Sequence, residues 1–515
     1  MYSCLALLIA LVLPLAAQTP SNPCAPNTAM ADPASGPAWN GWGADISNSR
    51  FQTAKAAQMT AAQVPRLKLK WAFGLPGAKQ VFGEPVVVAG RVYVSADTGV
   101  VYSLGAATGC TYWTFQAEAG VRTALSVGLT KSGPLAYFGD RKANVYALDA
   151  AKGTLVWKVH VDEHSSAGIT GAPRVYQDRV YVPVASGEEG SSSSPQYQCC
   201  TFRGSVVALD AATGKQVWKT FTIAEEPKIV GKNANGVSRW APAGGGVWNS
   251  PTVDPKRHVL YVGTGDAYTS PAPNTTDAIM ALDLDSGKVL WSVQGTENDA
   301  WVVGCMGPKP AENCPKDFGP DHDFGSPPIL REVSGGRTLL IAGQKSGNVW
   351  AYDPDKKGAV VWRTALVNDT KAFGGKIVWG GASDDQAAYF GLGDGGIGAI
   401  AISNGERKWF TALAPAEGRA QHPGQEGPLT AIPDVLFSGG WDGVLRALSA
   451  SDGKVIWQFD TMREFPSVNG VAAKGGSMGA AGSVVAGGML FVPSGYVGVR
   501  NGVAGNVLLA FQAEP

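Results

Sequence analysis

GSVVALDAATGKQVWKT, residues 204–220, holds the fold in seventeen residues. Val206 and Ala208 fall on one face of a strand, Thr213-Gly214 makes a tight turn, and Trp218 follows on a second strand. The same Gly-x-x-x-Trp pairing recurs as Gly109/Trp113, Gly153/Trp157, Gly287/Trp291, Gly358/Trp362, Gly405/Trp409 and Gly453/Trp457. Trp71, in LKLKWAF, is an eighth Trp of this kind without strands of its own upstream, whereas MLFVPSGY and NVLLAFQ near the other end have no Trp strand after them. Each end supplies what the other lacks, so pairing the first strand with the last unit closes a ring and removes two exposed sheet edges.

Neighbouring Trp positions are 42 to 48 residues apart in the compact units and 61 to 73 apart in the three between Trp157 and Trp362. The shorter spacing suits four short strands, a propeller blade. The expectation is an all-β, eight-bladed propeller over residues 38–515, with a Trp packed between each pair of neighbouring blades. Loops carry the function of such a scaffold, so the three insertions should form one wall or lid of the site.

Composition agrees. Sixty-seven glycines and 16 tryptophans among 515 residues, with only 16% charged residues, fit many short strands and turns. Forty-two basic and 42 acidic side chains leave no net charge, which removes the electrostatic case for a nucleic-acid or anionic-membrane partner. Leu5 to Ala17 is a run too short to span a bilayer and right for a signal peptide, so residues 1–18 are read as an export signal and 19–37 as an N-terminal extension. No later segment is long and apolar enough to cross a membrane, so the expectation is a periplasmic or secreted protein that is not integral to a membrane. Without Cys4, six cysteines remain, which allow 15 pairings. Cys199 and Cys200 are adjacent and Cys305 and Cys314 bracket a short loop, leaving Cys24 with Cys110. Cys-x-x-Cys-His does not occur, so no covalent c-type haem is expected.

The repeated Ala-Leu-Asp-Ala-Ala-Thr-Gly…Trp unit with vicinal cysteines resembles the quinoprotein alcohol dehydrogenases that carry pyrroloquinoline quinone (PQQ). QYQCCTFRGSVVALD (196–210), GTGDAY (263–268), PDHDFGSPPIL (320–330) and GQKSG (343–347) resemble the polyvinyl-alcohol dehydrogenase-like branch in particular. The resemblance implies a PQQ- and Ca²⁺-dependent enzyme that oxidises a small-molecule or polymeric alcohol and passes electrons to a separate acceptor such as a cytochrome c. A non-catalytic propeller scaffold for proteins or carbohydrate is the alternative.

The resemblance also implies roles for particular residues. A Cys199–Cys200 disulfide would lie against one face of the quinone, two thiols or two separate disulfides being the alternative, and Trp248 would support the other face. Arg203 and Lys345 would meet the carboxylates and quinone oxygens, and Glu84 would add a polar contact. Glu189 and Asp266 offer the hard oxygens that suit Ca²⁺. Methanol-type enzymes have Trp-Asp where this chain has Trp301-Val302, so the base falls to a neighbouring carboxylate. Asp299 is the first choice and Asp323 its rival.

Overall fold

The computed structural model describes residues 22–26, 29–333, 335–371, 374–419, 421–498 and 500–514. The predicted export signal lies outside them. Eight antiparallel sheets follow one another around a ring. Seven are built in chain order. Blade 1 runs from Val86–Val88 to Thr111–Gln116, blade 2 from Ser126–Thr130 to Leu155–His160, and blade 3 from Ala167–Gly168 to Gln216–Phe221. Blade 4 runs from Thr252–Asp254 to Val289–Gln294, blade 5 from Ile329–Val333 to Ala359–Ala365, blade 6 from Ala382–Ser383 to Arg407–Thr411, and blade 7 from Thr430–Ile432 to Val455–Asp460.

Blade 8 joins the two ends of the chain. Its strands Val484–Ala486, Met489–Ser494 and Val507–Ala513 take Leu67–Gly74 as their fourth, with Leu67 opposite Ala513 and Gly74 opposite Val507. This is the closure the sequence calls for.

The repeated Gly and Trp form one joint between successive blades. Trp71 donates its indole N–H to Ala106 O of the next blade at 3.1 Å, and Trp113, Trp157, Trp218, Trp362 and Trp409 donate likewise at 3.0–3.1 Å. Each ring lies on the next turn's glycine. Gly214 has φ +73°, and a Cβ there would sit 2.8 Å from the Trp157 ring. Glycine is therefore required twice, for the left-handed backbone and for the face of the indole. Asp210 completes the turn by accepting from the Thr213 N–H at 2.9 Å and the Thr213 hydroxyl at 2.7 Å.

The repeat does not announce the segment that plugs the ring. Residues 39–53 visit blade after blade. Trp39 pairs with Val87, Asn40 bonds Val127, Asn48 donates to Ser250 O and Thr252 Oγ1, and Ser383 N–H donates to Ser49 O. Arg50, fully buried, donates to Leu429 O at 2.6 Å and to Thr430 Oγ1 and Ser483 O at 3.0 and 3.1 Å, and lies 3.8 Å from Glu84.

The three insertions pack together as expected. Asn313, from the loop after blade 4, donates to the carbonyls of Ser192, Ser194 and Tyr197 in the blade 3 insertion at 3.0–3.2 Å. Disulfides join Cys24 to Cys110, Cys199 to Cys200 and Cys305 to Cys314. No helix among the described residues is long and apolar enough to cross a membrane.

Candidate active site

Every blade begins with its innermost strand, so the loops entering those strands converge on the axis. Glu84 lies just before blade 1, Arg122 before blade 2, Thr170 before the main strands of blade 3, Trp248 before blade 4, and Trp379 before blade 6. These five side chains line one slot. Trp248 and Trp379 meet edge to face with centroids 4.9 Å apart, and the Arg122 guanidinium lies 3.9 Å from the Trp379 ring. Burial pushes Glu84 up to about 7, against the pull of Arg50.

A charged cluster adjoins the slot. Asp323 accepts from the Trp248 indole N–H and from the Asp266 backbone N–H, both at 2.9 Å, and pairs with Lys345 at 3.1 Å. Asp321 holds the same ammonium at 2.6 Å. One oxygen from each of Asp266, Asp321 and Asp323 lies within 4.8 Å of the others, and all three residues are buried. Burial, then the field of Asp323 and Glu189, raises Asp266. Burial alone would lower the Lys345 ammonium, but Asp321, Asp323, Glu189 and Asp266 hold it above its ordinary value. Glu189 is raised by burial to about 7 and lies in the field of Lys345 and Asp323.

Asp299 stands behind this cluster. Its carboxylate, fully buried, accepts the backbone N–H of Asp321 at 3.1 Å and of His322 at 2.7 Å. It thereby fixes the loop that presents Asp321 and Asp323.

Two expected partners of the slot lie elsewhere. Arg203 sits over the Phe221 ring at 4.0 Å and donates to Ala224 O at 3.1 Å, lining an outer cleft with His164 and Lys219. Being three residues from Cys200 does not turn it inward. Its backbone bridges to Gly244, and its side chain turns to Phe221 and Ala224. The Cys199–Cys200 disulfide packs among Phe202, Tyr268 and Trp301, and Cys199 borders a side groove with Trp240 and Asn313. It is not among the residues lining the slot of Trp248. Glu188, beside the predicted Glu189, secures the disulfide loop by accepting from Thr201 N–H and Phe202 N–H at 2.9 and 2.8 Å.

Arg122, Thr170 and Trp379 were not singled out from sequence. Their common signal is position, a few residues ahead of an innermost strand, as for Glu84 and Trp248. Asp321, passed over for the metal, is two residues from Asp323.

The chemistry of these walls suits a planar, anionic cofactor. Thr170 Oγ1 and Trp379 Nε1 in the slot, and Asp266 Oδ2 beside it, are buried with no hydrogen-bond partner in the protein. Two indoles, the cations Arg122 and Lys345 and these spare groups suit an aromatic carboxylate, and the acidic cluster suits a hard cation. An eight-bladed propeller with an indole-walled slot beside buried carboxylates is the arrangement that the resemblance to the quinoprotein dehydrogenases implies.

The comparisons with known proteins agree. Residues 39–305 match the family described as glucose/ethanol/alcohol dehydrogenase, beta-propeller domain, and residues 202–426 match outer membrane protein assembly factor BamB. The chain is 40% identical over 500 residues to a polyvinylalcohol dehydrogenase of a Pseudomonas species, covering 92% of this chain and 77% of that protein. It is 38% identical over 506 residues to that of a Sphingopyxis strain, covering 92% and 76%. The solved quinohemoprotein alcohol dehydrogenase of Comamonas testosteroni superposes with a TM-score of 0.68 at 21% identity, covering 92% of this chain and 80% of that one, which shows the shared fold. The chain belongs to the PQQ-dependent alcohol dehydrogenase family. It is an oxidoreductase acting on the CH–OH group of alcohols, in a family that uses PQQ and typically Ca²⁺.

Proposed function

We propose that this chain works outside the cytoplasm, oxidises secondary hydroxyls of an extended or polymeric alcohol, and delivers the electrons to a separate acceptor such as a cytochrome c. Three disulfides support an oxidising compartment. The polymeric substrate follows the two polyvinylalcohol dehydrogenases, which it resembles over most of its length.

One observation carries the chemistry. The Asp323 carboxylate is held at the slot by Trp248, Lys345 and the Asp266 amide. PQQ, when bound, supplies the two-electron acceptor. Asp323 takes the proton of the substrate hydroxyl, Lys345 steadies negative charge at the slot, and Trp248 both walls the slot and aims the carboxylate. Glu84, Arg122, Thr170 and Trp379 bind and orient the cofactor. Glu189, Asp266 and Asp321 hold the metal. Asp299 is a positioning residue for the 321–323 loop, and Arg203 and the vicinal disulfide shape the outer wall.

Asp323→Asn tests this. It keeps the shape and an acceptor for Trp248 but removes the base, so turnover falls roughly 10²–10⁴-fold with PQQ uptake retained. Asp299→Asn keeps more activity. Near-normal turnover in Asp323→Asn, with Asp299→Asn inactive, returns the base to Asp299.

A further inference from the structure

Two cavities lie outside the slot and take no part in the chemistry above. The outer cleft, of about 400 Å³, runs past His164, Arg203 and Phe221 on the rim of blade 3. The side groove, of about 240 Å³, runs past Cys199, Tyr268 and Asp317 among the insertions. Trp240 is a wall of both, on the strand Ser238–Ala241 that pairs with Lys228–Lys232. The groove also comes near the charged cluster. Tyr268 is two residues from Asp266 and Asp317 is four from Asp321, so the backbone keeps these pairs within about 7 and 14 Å.

Charge gives these cavities no hold on an ionic ligand. In the cleft Lys219 pairs with Asp162 at 2.7 Å, Arg203 faces Glu226 at 3.9 Å, and Glu163 adds a third carboxylate. In the groove Arg239 and Lys316 stand with Asp317. Four cations therefore meet four carboxylates, and no net field selects either sign.

The walls offer spare donors and apolar surface instead. The Trp240 indole N–H and Arg239 Nε are buried and have no acceptor among the described residues. Buried donors are normally satisfied, so these two stand ready for the oxygens of a ligand. Thr201 and Ser270 add hydroxyls, whereas Phe221, Pro315 and Val230 supply apolar surface, Val230 being 63% exposed.

We propose that the cleft and the groove sharing Trp240 bind a neutral, hydroxyl-bearing hydrocarbon chain, a stretch of the polymeric alcohol remote from the hydroxyl being oxidised. The proposal rests on the reading of the substrate as polymeric. The methylenes of the chain lie on the apolar walls and its hydroxyls meet the spare donors. A chain held there keeps its neighbouring segments close to the slot, so binding gains from effective concentration without altering the chemistry.

The holoenzyme is assayed on polyvinyl alcohol and on isopropanol with a small-molecule electron acceptor, so that docking of a protein acceptor does not enter. Trp240→Ala raises KM for the polymer ~10-fold or more, with KM for isopropanol and kcat for both substrates unchanged. Trp240→Phe keeps a ring at the shared wall and removes the spare N–H, raising the polymer KM ~3-fold, and it decides the matter where Trp240→Ala fails to fold. The bonds from Trp240 to Cys199 and Cys200 are made by backbone, which both variants keep. Calorimetry of the full chain with polyvinyl alcohol shows the same order of affinities.

An unchanged polymer KM in the folded variants, with a parent that oxidises the polymer, overturns the anchoring site and leaves the polymeric reading standing. An equal rise in KM for isopropanol ties Trp240 to the slot and overturns it as well. A parent that oxidises isopropanol but neither binds nor oxidises polyvinyl alcohol overturns the polymeric reading, and the proposal falls with it.

Discussion

Replacing Arg50 by Met examines the plug that the structure places across the ring. Arg50 is fully buried, and its guanidinium donates to Leu429 O, Trp42 O, Thr430 Oγ1 and Ser483 O. It also faces Glu84 at 3.8 Å and lies within 5.1 Å of the Trp39 and Trp42 rings. Methionine keeps the length of the stem and removes every donor. The carbonyls of Trp42, Leu429 and Ser483 then lose a buried partner, and Glu84 loses the cation that opposes its upward shift. Breaking one side of such a buried pair costs about 3–5 kcal/mol.

The unfolding entropy of a chain this long is about 1 kcal/mol per degree, so the melting temperature falls by roughly 3–5 °C. Arg50→Lys keeps the charge but not the planar fork, and loses about half as much. The assay is thermal unfolding followed by circular dichroism and by tryptophan emission, repeated in Glu84→Gln. The two substitutions should be non-additive, because Glu84→Gln removes the carboxylate that Arg50→Met strands. A melting temperature for Arg50→Met within about 1 °C of the parent refutes the plug as a stabilising element. Strict additivity refutes the coupling of Arg50 to Glu84.

Three other outcomes are expected. Ending the chain at Gly487 leaves Leu67–Gly74 without its partner strand, so the truncated protein loses cooperative unfolding; retention of the parent melting temperature contradicts ring closure. Gly214→Ala places a Cβ 2.8 Å from the Trp157 ring at φ +73° and costs roughly 2–4 kcal/mol, whereas Gly236→Ala, at φ +77° with open space, costs only the backbone strain of about 1–2 kcal/mol. Equal costs in thermal unfolding refute the interblade joint. Burial raises Glu84 from 4.5 to about 7, so the folded protein retains a proton that the unfolded chain has released between those values. Stability from this group therefore declines as pH rises from about 4.5 to 7, and Glu84→Gln flattens that slope; an unchanged pH profile of the melting temperature contradicts it.

The eight blades, their closure, the three disulfides and the family were legible in the sequence. Each rests on local or repeated chemistry. A turn that needs a left-handed glycine, and a Trp that needs that glycine's bare face, recur once per blade and can be counted. Strands missing at one end and left over at the other can be matched without knowing where they lie. Glu84, Trp248, Asp266, Asp323 and Lys345 stand in short motifs that the sequence displays, and the structure brings Glu84 and Trp248 to one slot and the other three to one charged cluster.

The tertiary structure decided the remainder, because the slot is assembled from loops a whole blade apart. No short window shows that Arg122, Thr170 and Trp379 share a wall with Trp248, since closing the ring is what brings them together. Periodicity likewise does not encode which way a side chain leaves the end of a strand. Arg203 follows Cys200 closely in sequence yet turns to Phe221 and the outer cleft. Asp299 and Asp323 look alike as acidic residues in one insertion. Only packing turns Asp299 back to hold the amides of Asp321 and His322, and sets Asp323 against Trp248 and Lys345. The crossing of residues 39–53 had no repeat to announce it, because each of its contacts is made with a different blade.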